Sequence, residues 1–201
     1  ILAQFIKSEK SVVFIARDDR RMAAVKIGLK FFAETVEVIE FPAWDCLPYD
    51  RVSPKNDIIA SRIDTLTKLI DSEVIQPRII LTTVAALLQR VPAREIFRDS
   101  SLNFGTNDCT SRDFLIQYLQ KNSYVRSDNV MEPGEYAVRG GIVDLFPPGY
   151  EQPFRLDFFG DELDSIRTFD PFSQRTTGES ESFNVKRFNE IIIDEHSITR
   201  F

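Results

Sequence analysis

One histidine, His196, and two cysteines, Cys46 and Cys109, are all that 201 residues offer of those types. A single imidazole can build neither a His-based nucleophile triad nor a multi-histidine metal site. Two cysteines far apart in sequence fit no metal-ligand spacing, so they read as reduced thiols of a cytosolic protein rather than a disulfide framework. No apolar run approaches the ~20 residues that cross a bilayer. The opening ILAQFIKSEK lacks the basic start and small-residue cleavage site of a secretory leader. Neither a membrane span nor secretion is expected. The first residue is not Met and its surroundings have helical apolar spacing, so the sequence reads as a segment of something longer. An excess of positive charge is also missing: 25 Lys and Arg stand against 31 Asp and Glu, a formal charge of −6. That argues against a surface whose main work is neutralising phosphates.

Glycine is absent where a nucleotide would need it. The strand, turn and helix at 11–33 are the place for a phosphate loop, yet the turn reads ARDDRRMAAV. Asp18 and Asp19 stand where backbone N–H groups and a lysine would be required. Nothing elsewhere reads G-x-x-x-x-G-K-[ST]. Neither nucleotide hydrolysis nor a bound cofactor is expected of these residues.

What is present is an ordinary globular balance, 43% hydrophobic and 28% charged, with length for one large domain or two small ones. SVVFIA (11–16) reads as a buried strand, RRMAAVKIGLKFF as a helix and VEVIEF (36–41) as a strand, the rhythm of a parallel sheet covered by helices. After the proline-punctuated FPAWDCLPYDRVSPKN comes a helix whose Ile59, Ile63, Leu66 and Ile70 share one face, started by Ser53 and Pro54. RIILTT (78–83) is a third strand and VAALLQRV a third helix, ending at Pro92. From about Ser100 the texture becomes α+β. One helix, TSRDFLIQYLQKN, is opened by Thr110 and Asp113 as a capping box; period-two alternation follows. Expected domains are 1–97 and 98–188, with 189–201 as a return segment.

The clearest hairpin is PFRLDFFGDELDSIRTF, with Gly160-Asp161 as a two-residue turn. Its register sets Phe159 opposite Glu162, Asp157 opposite Asp164 and Arg155 opposite Ile166. Phe154, Leu156, Phe158 and Leu163 then form the core face. Arg155, Asp157, Phe159, Glu162 and Asp164 fall on the other, leaving an aromatic ring on the side that alternation sends to water. The carboxylates Asp161, Glu162 and Asp164 form a charged hairpin tip, which alternating faces split as a cation site. Trp44 and Tyr49 are possible base-stacking residues, but no basic residue before Arg51 accompanies them, so a loop packed on the sheet edge is the simpler reading. His196 reads as solvated.

Two stretches carry a family resemblance. FPAWDCLPYDRVSPKNDIIASRIDTL and EPGEYAVRGGIVDLFPPGYEQPFRLDFFGDELDSIRTFDPFSQRT resemble the N-terminal region of bacterial transcription-repair coupling factors, and the second is also similar to part of the excision-repair protein UvrB. UvrB, however, has an early nucleotide-binding loop and a long tyrosine-rich hairpin where this sequence has only DRVSPKN. The resemblance implies a degenerate helicase-like α/β domain without an ATPase site, followed by an α+β domain that binds the damage-recognition protein UvrA. It places the UvrA contact on Arg139, Arg155 and Phe159. ATP, DNA translocation and RNA polymerase binding would belong to regions further along the relatives, and the tail FNEIIIDEHSITRF would return to the first domain. An arginine beside an exposed aromatic suits an interface anchor. The competing role is local: Arg139 or Arg155 would neutralise the like-charged pair Asp157 and Asp164. The two roles can coexist, and a DNA-binding element assisting a motor is the alternative function.

Overall fold

The structure, a computed structural model, describes residue 5 and residues 10–47, 51–70, 77–98, 101–106 and 110–190. Tyr49, Cys109, His196 and nearly all of the expected return segment lie outside them. The chain divides into two compact units, Ile1–Val91 and Pro92–Phe201.

In the first unit, β1 (Val12–Ala16), α1 (Asp19–Phe32), β2 (Val38–Phe41), α2 (Asn56–Ile70), β3 (Ile79–Thr83) and α3 (Val84–Leu88) follow in order. The strands are rich in Val and Ile and pair in parallel in the order β1-β3-β2. Every residue of the central β3 is buried, as expected for a strand flanked on both sides in a parallel sheet. Ala16, Met22, Leu29, Ile79 and Leu81 form one core, with Phe14, Val25 and Val38 packed on it. Two expectations need correction. β1 is not buried throughout: it is an edge strand and alternates, with Val13 and Ile15 half exposed. The buried stripe of α2 is Ala60, Arg62, Ile63 and Thr65 rather than a purely apolar row, and the helix starts at Asn56, beyond Ser53 and Pro54.

The reason for that rotated stripe is a polar anchor that hydrophobic spacing cannot show. Arg62 is fully buried, its guanidinium 4.2 Å from the Phe41 ring centroid and 4.3 Å from that of Trp44. Arg62 Nη1 donates to the Pro42 carbonyl at 2.8 Å and to Gln89 Oε1 at 3.1 Å. The Thr65 hydroxyl donates to the Glu40 carbonyl. Cation–π contact and hydrogen bonds together offset the desolvation of a buried cation. Trp44 is thereby packed against α2.

The second unit holds α4 (Glu95–Arg98), β4 (Ser101–Gly105), α5 (Arg112–Lys121), β5 (Val125–Arg126), β6 (Glu135–Arg139), β7 (Ile142–Leu145), β8 (Phe154–Phe159), β9 (Glu162–Phe169), β10 (Thr176–Ser180) and β11 (Ser182–Lys186). A six-stranded sheet runs β10-β9-β8-β7-β6-β5, antiparallel except for the short β5–β6 pairing, and β4 pairs with β11 separately. The cap of α5 is Ser111, whose hydroxyl accepts the Phe114 N–H at 3.2 Å. Thr110 is therefore one residue early, and Asp113 falls one position short of closing a capping box. Leu115 and Leu119 of α5 are buried, while Tyr118 and Tyr124 donate to the carbonyls of Val185 and Lys186 at 3.3 and 2.6 Å. Gly134 has φ +86°, and a Cβ there would meet the Phe188 ring at 2.1 Å, so only glycine fits.

The β8–β9 hairpin turns at Gly160-Asp161, with Phe159 opposite Glu162 and Phe158 opposite Leu163. Phe154, Leu156, Phe158 and Leu163 are all buried on one face. Beyond that the expected register is wrong by one. A bulge leaves Asp164 without a cross-strand partner, so Asp157 lies opposite Ser165 and Arg155 opposite Arg167. The bulge lets Leu163 and Ile166, three residues apart, both enter the core.

Candidate functional site

The other face of this sheet brings the three predicted residues together. Strand pairing lays Ala137, Asp144, Arg155 and Arg167 in one row, and Arg139, Ile142, Asp157 and Ser165 in the next. Phe159 and Glu162 extend past the second row to the hairpin end. Since side chains alternate across a pleated strand, these rows share a face.

Asp144 organises the first row. Its side chain is 2% exposed, and Arg155 grips it through a forked pair, Nε to Oδ1 and Nη2 to Oδ2, both at 2.8 Å. This hydrogen bonding raises the Arg155 pKa further above its ordinary value, outweighing the opposing effect of burial. Arg155 Nη1 also reaches the Gln174 carbonyl at 3.4 Å, and the guanidinium lies 4.6 Å from the centroid of the Phe169 ring. Beneath it Val130, Ala137, Phe146 and Phe169 form a small buried cluster. At this end the sheet is therefore covered on both faces, and the Arg155 side chain is only 17% exposed.

Arg139 is the freer cation. Its side chain is 48% exposed, with Nη1 at 3.8 Å from Asp144 Oδ2. Nη2 donates to the Asp128 carbonyl and, at 2.7 Å, to Asn129 Oδ1. The turn that follows is braced by Arg112, whose Nη1 donates to the Gly140 carbonyl at 2.7 Å. Phe159, at 83% exposure, has its ring in water. Asp157 is paired with Arg167 at 3.2 Å.

The expected repulsion between Asp157 and Asp164 is absent, because the bulge separates them and Arg167 takes Asp157. The carboxylate that the two arginines serve is Asp144, which sequence reasoning missed. Its signal was available in GGIVDLFPP: with Val143 and Leu145 as core residues, a β7–β8 hairpin brings Asp144 to Arg155. Asp161, Glu162 and Asp164 are exposed, and among the described residues no three His, Cys, Asp or Glu side chains gather closely enough to hold a metal ion. Nor is any described helix long and apolar enough to cross a membrane. In the first unit, the Asp18 side chain accepts the Arg21 N–H at 2.8 Å and caps α1. That hydrogen bond holds the carboxyl below its usual pKa. The carboxylate thus occupies the helix start where a phosphate would sit.

Comparison with known proteins matches residues 102–188 to the UvrB interaction domain. The chain is 40% identical over 190 residues to the transcription-repair-coupling factor of Escherichia coli (strain K12), covering 94% of this chain and 16% of that protein. It is 34% identical over 200 residues to that of Haemophilus influenzae, covering 100% and 17%, and 28% identical over 187 residues to that of Bacillus subtilis (strain 168), covering 93% and 16%. The chain thus spans about a sixth of the length of the curated relatives it matches.

Proposed function

We propose, from the premise that this chain carries a UvrB interaction domain and is homologous to a segment of the transcription-repair-coupling factors, that its second unit recruits UvrA in transcription-coupled nucleotide excision repair. The face bearing Arg139, Arg155 and Phe159 is the docking surface. The observation that carries this reading is Phe159: a ring 83% exposed at the end of the β8–β9 hairpin, on the same sheet face as a half-exposed arginine. Leaving a large ring in water gains nothing for the fold, whereas aromatic and arginine side chains dominate interface energetics. Arg139 and Phe159 make the contact, and Arg155 supports it by fixing Asp144 beside Arg139.

The charges favour a protein partner over DNA. Arg155 and Arg139 share Asp144, and Arg167 has Asp157. Three cations balanced by two carboxylates form no basic stripe for a phosphate backbone. The first unit is read as a helicase-like α/β domain that has lost its nucleotide site, with Asp18 capping α1 where a phosphate loop would act. The chain is assigned no catalytic step and no cofactor, and is read as cytoplasmic. ATP-driven translocation, and contact with DNA and RNA polymerase, are assigned to the parts of the relatives outside this stretch. Calorimetric titration of the chain into purified UvrA should give saturable binding, and titration into duplex DNA at low and physiological salt should give none. DNA binding with a steep salt dependence, and none to UvrA, would overturn the assignment.

A further inference from the structure

The turn between β9 and β10, residues 170–175, holds a second exposed ring. Phe172 is 83% exposed, in a segment whose backbone is closely determined. Asp170 Oδ1 accepts the Ser173 N–H at 2.7 Å, the Asp170 carbonyl accepts the Gln174 N–H at 2.8 Å, and the Asp170 N–H donates to the Arg175 carbonyl at 2.9 Å. The hydrogen bond from Ser173 also holds the Asp170 carboxyl below its usual pKa. Gln174 sits at φ +59°, a left-handed conformation that strains a non-glycine residue. Its side-chain Nε2 donates to the Pro171 carbonyl at 2.6 Å and the Val130 carbonyl at 3.2 Å, and lies 3.9 Å from Met131 Sδ. Met131 is itself exposed. An aromatic ring is thus displayed on a braced, strained turn whose Gln174 side chain touches an exposed methionine.

This turn is continuous with the docking face already described. The Gln174 carbonyl accepts from Arg155 Nη1, and Val130, which the Gln174 side chain reaches, belongs to the cluster under Arg155. Arg155 and Phe159 are four residues apart on β8, about 13 Å at strand rise. Exposed apolar groups rimmed by paired charges mark interaction sites.

We propose that Phe172, on the turn whose Gln174 side chain reaches Met131, is a second apolar anchor of the same docking surface. The partner must then offer two apolar recesses flanking an acidic group that meets Arg139. This rests on the reading of the face as the UvrA contact. The test measures UvrA affinity and melting temperature for the parent chain, Phe172→Ala and Phe159→Ala side by side. The expected result is at least a tenfold loss of affinity for each variant with melting temperature unchanged. If Phe159→Ala loses affinity and Phe172→Ala binds like the parent, the surface ends before the turn and the proposal is wrong. If neither variant loses affinity, the docking face itself is misassigned, and the second anchor falls with it.

Discussion

Replacing Arg155 by alanine would look harmless from the alternation of β8, since an outward side chain on a sheet usually changes stability by about 0.5 kcal/mol or less. The structure assigns it a larger cost. Asp144 is 2% exposed and relies on the forked bonds from Arg155, with Arg139 Nη1 no closer than 3.8 Å. Removing one member of a buried pair leaves an uncompensated charge and typically costs about 3–5 kcal/mol. Arg139 can close part of the gap, which puts the expectation near ~3 kcal/mol. The two units differ in their intrinsic probes: Trp44 is in the first, and four of the five tyrosines, Tyr118, Tyr124, Tyr136 and Tyr150, are in the second. In urea most of the tyrosine near-ultraviolet dichroism should be lost earlier by about 1–3 M, given slopes of about 1–3 kcal/mol/M. Trp44 fluorescence should keep its midpoint. The double variant Arg155→Met with Asp144→Leu should recover most of the loss, since replacing a whole buried pair with apolar groups is close to neutral. If Arg155→Ala left the tyrosine transition within about 0.5 kcal/mol of the parent, the claim that Asp144 depends on Arg155 would be refuted.

Two further outcomes follow from burial. Phe158→Ala should cost about 3–5 kcal/mol in the second unit, and an unchanged tyrosine transition would mean that the strand faces are reversed. At high pH, burial pushes the Tyr118 phenol up to about 12 from 10.0. The unfolded phenol ionises first, so stability present below pH 10 is lost as pH rises toward 12, at ~1.4 kcal/mol per unit. Urea midpoints taken across that window should fall for the parent and fall less for Tyr118→Phe; equal slopes would remove Tyr118 from the account.

The elements were largely legible because their spacing is a property of the chain. β1, β2 and β3 with the helices between them, and the hairpin at Gly160-Asp161, follow from period and turn chemistry. What escaped are features that depend on meetings between distant residues. Arg62 enters the core of the first unit only because Phe41, Trp44, Pro42 and Gln89 converge on it, and no helical period marks an arginine as buried. The bulge at Asp164 was missed because strict alternation was carried through DELDSIRTF, although the three-residue step from Leu163 to Ile166 breaks it. That one slip created a repulsive Asp157–Asp164 pair and hid the true partner of the arginines. Arg139, Arg155 and Phe159 came from family resemblance. Alternation put Arg155 and Phe159 on one face but could not distinguish the exposed ring from the largely covered guanidinium, since a covering loop is not written into a strand's own period.

The most direct test of the central claim is the dissociation constant of the purified chain for UvrA, measured for the parent and for Phe159→Ala at matched salt. Phe159 is exposed enough that its loss should leave folding alone, so any change in affinity is a property of the surface. The parent should bind, and the variant should lose about 2 kcal/mol or more, more than tenfold in affinity, with both unfolding transitions unchanged. Equal affinities would contradict the claim.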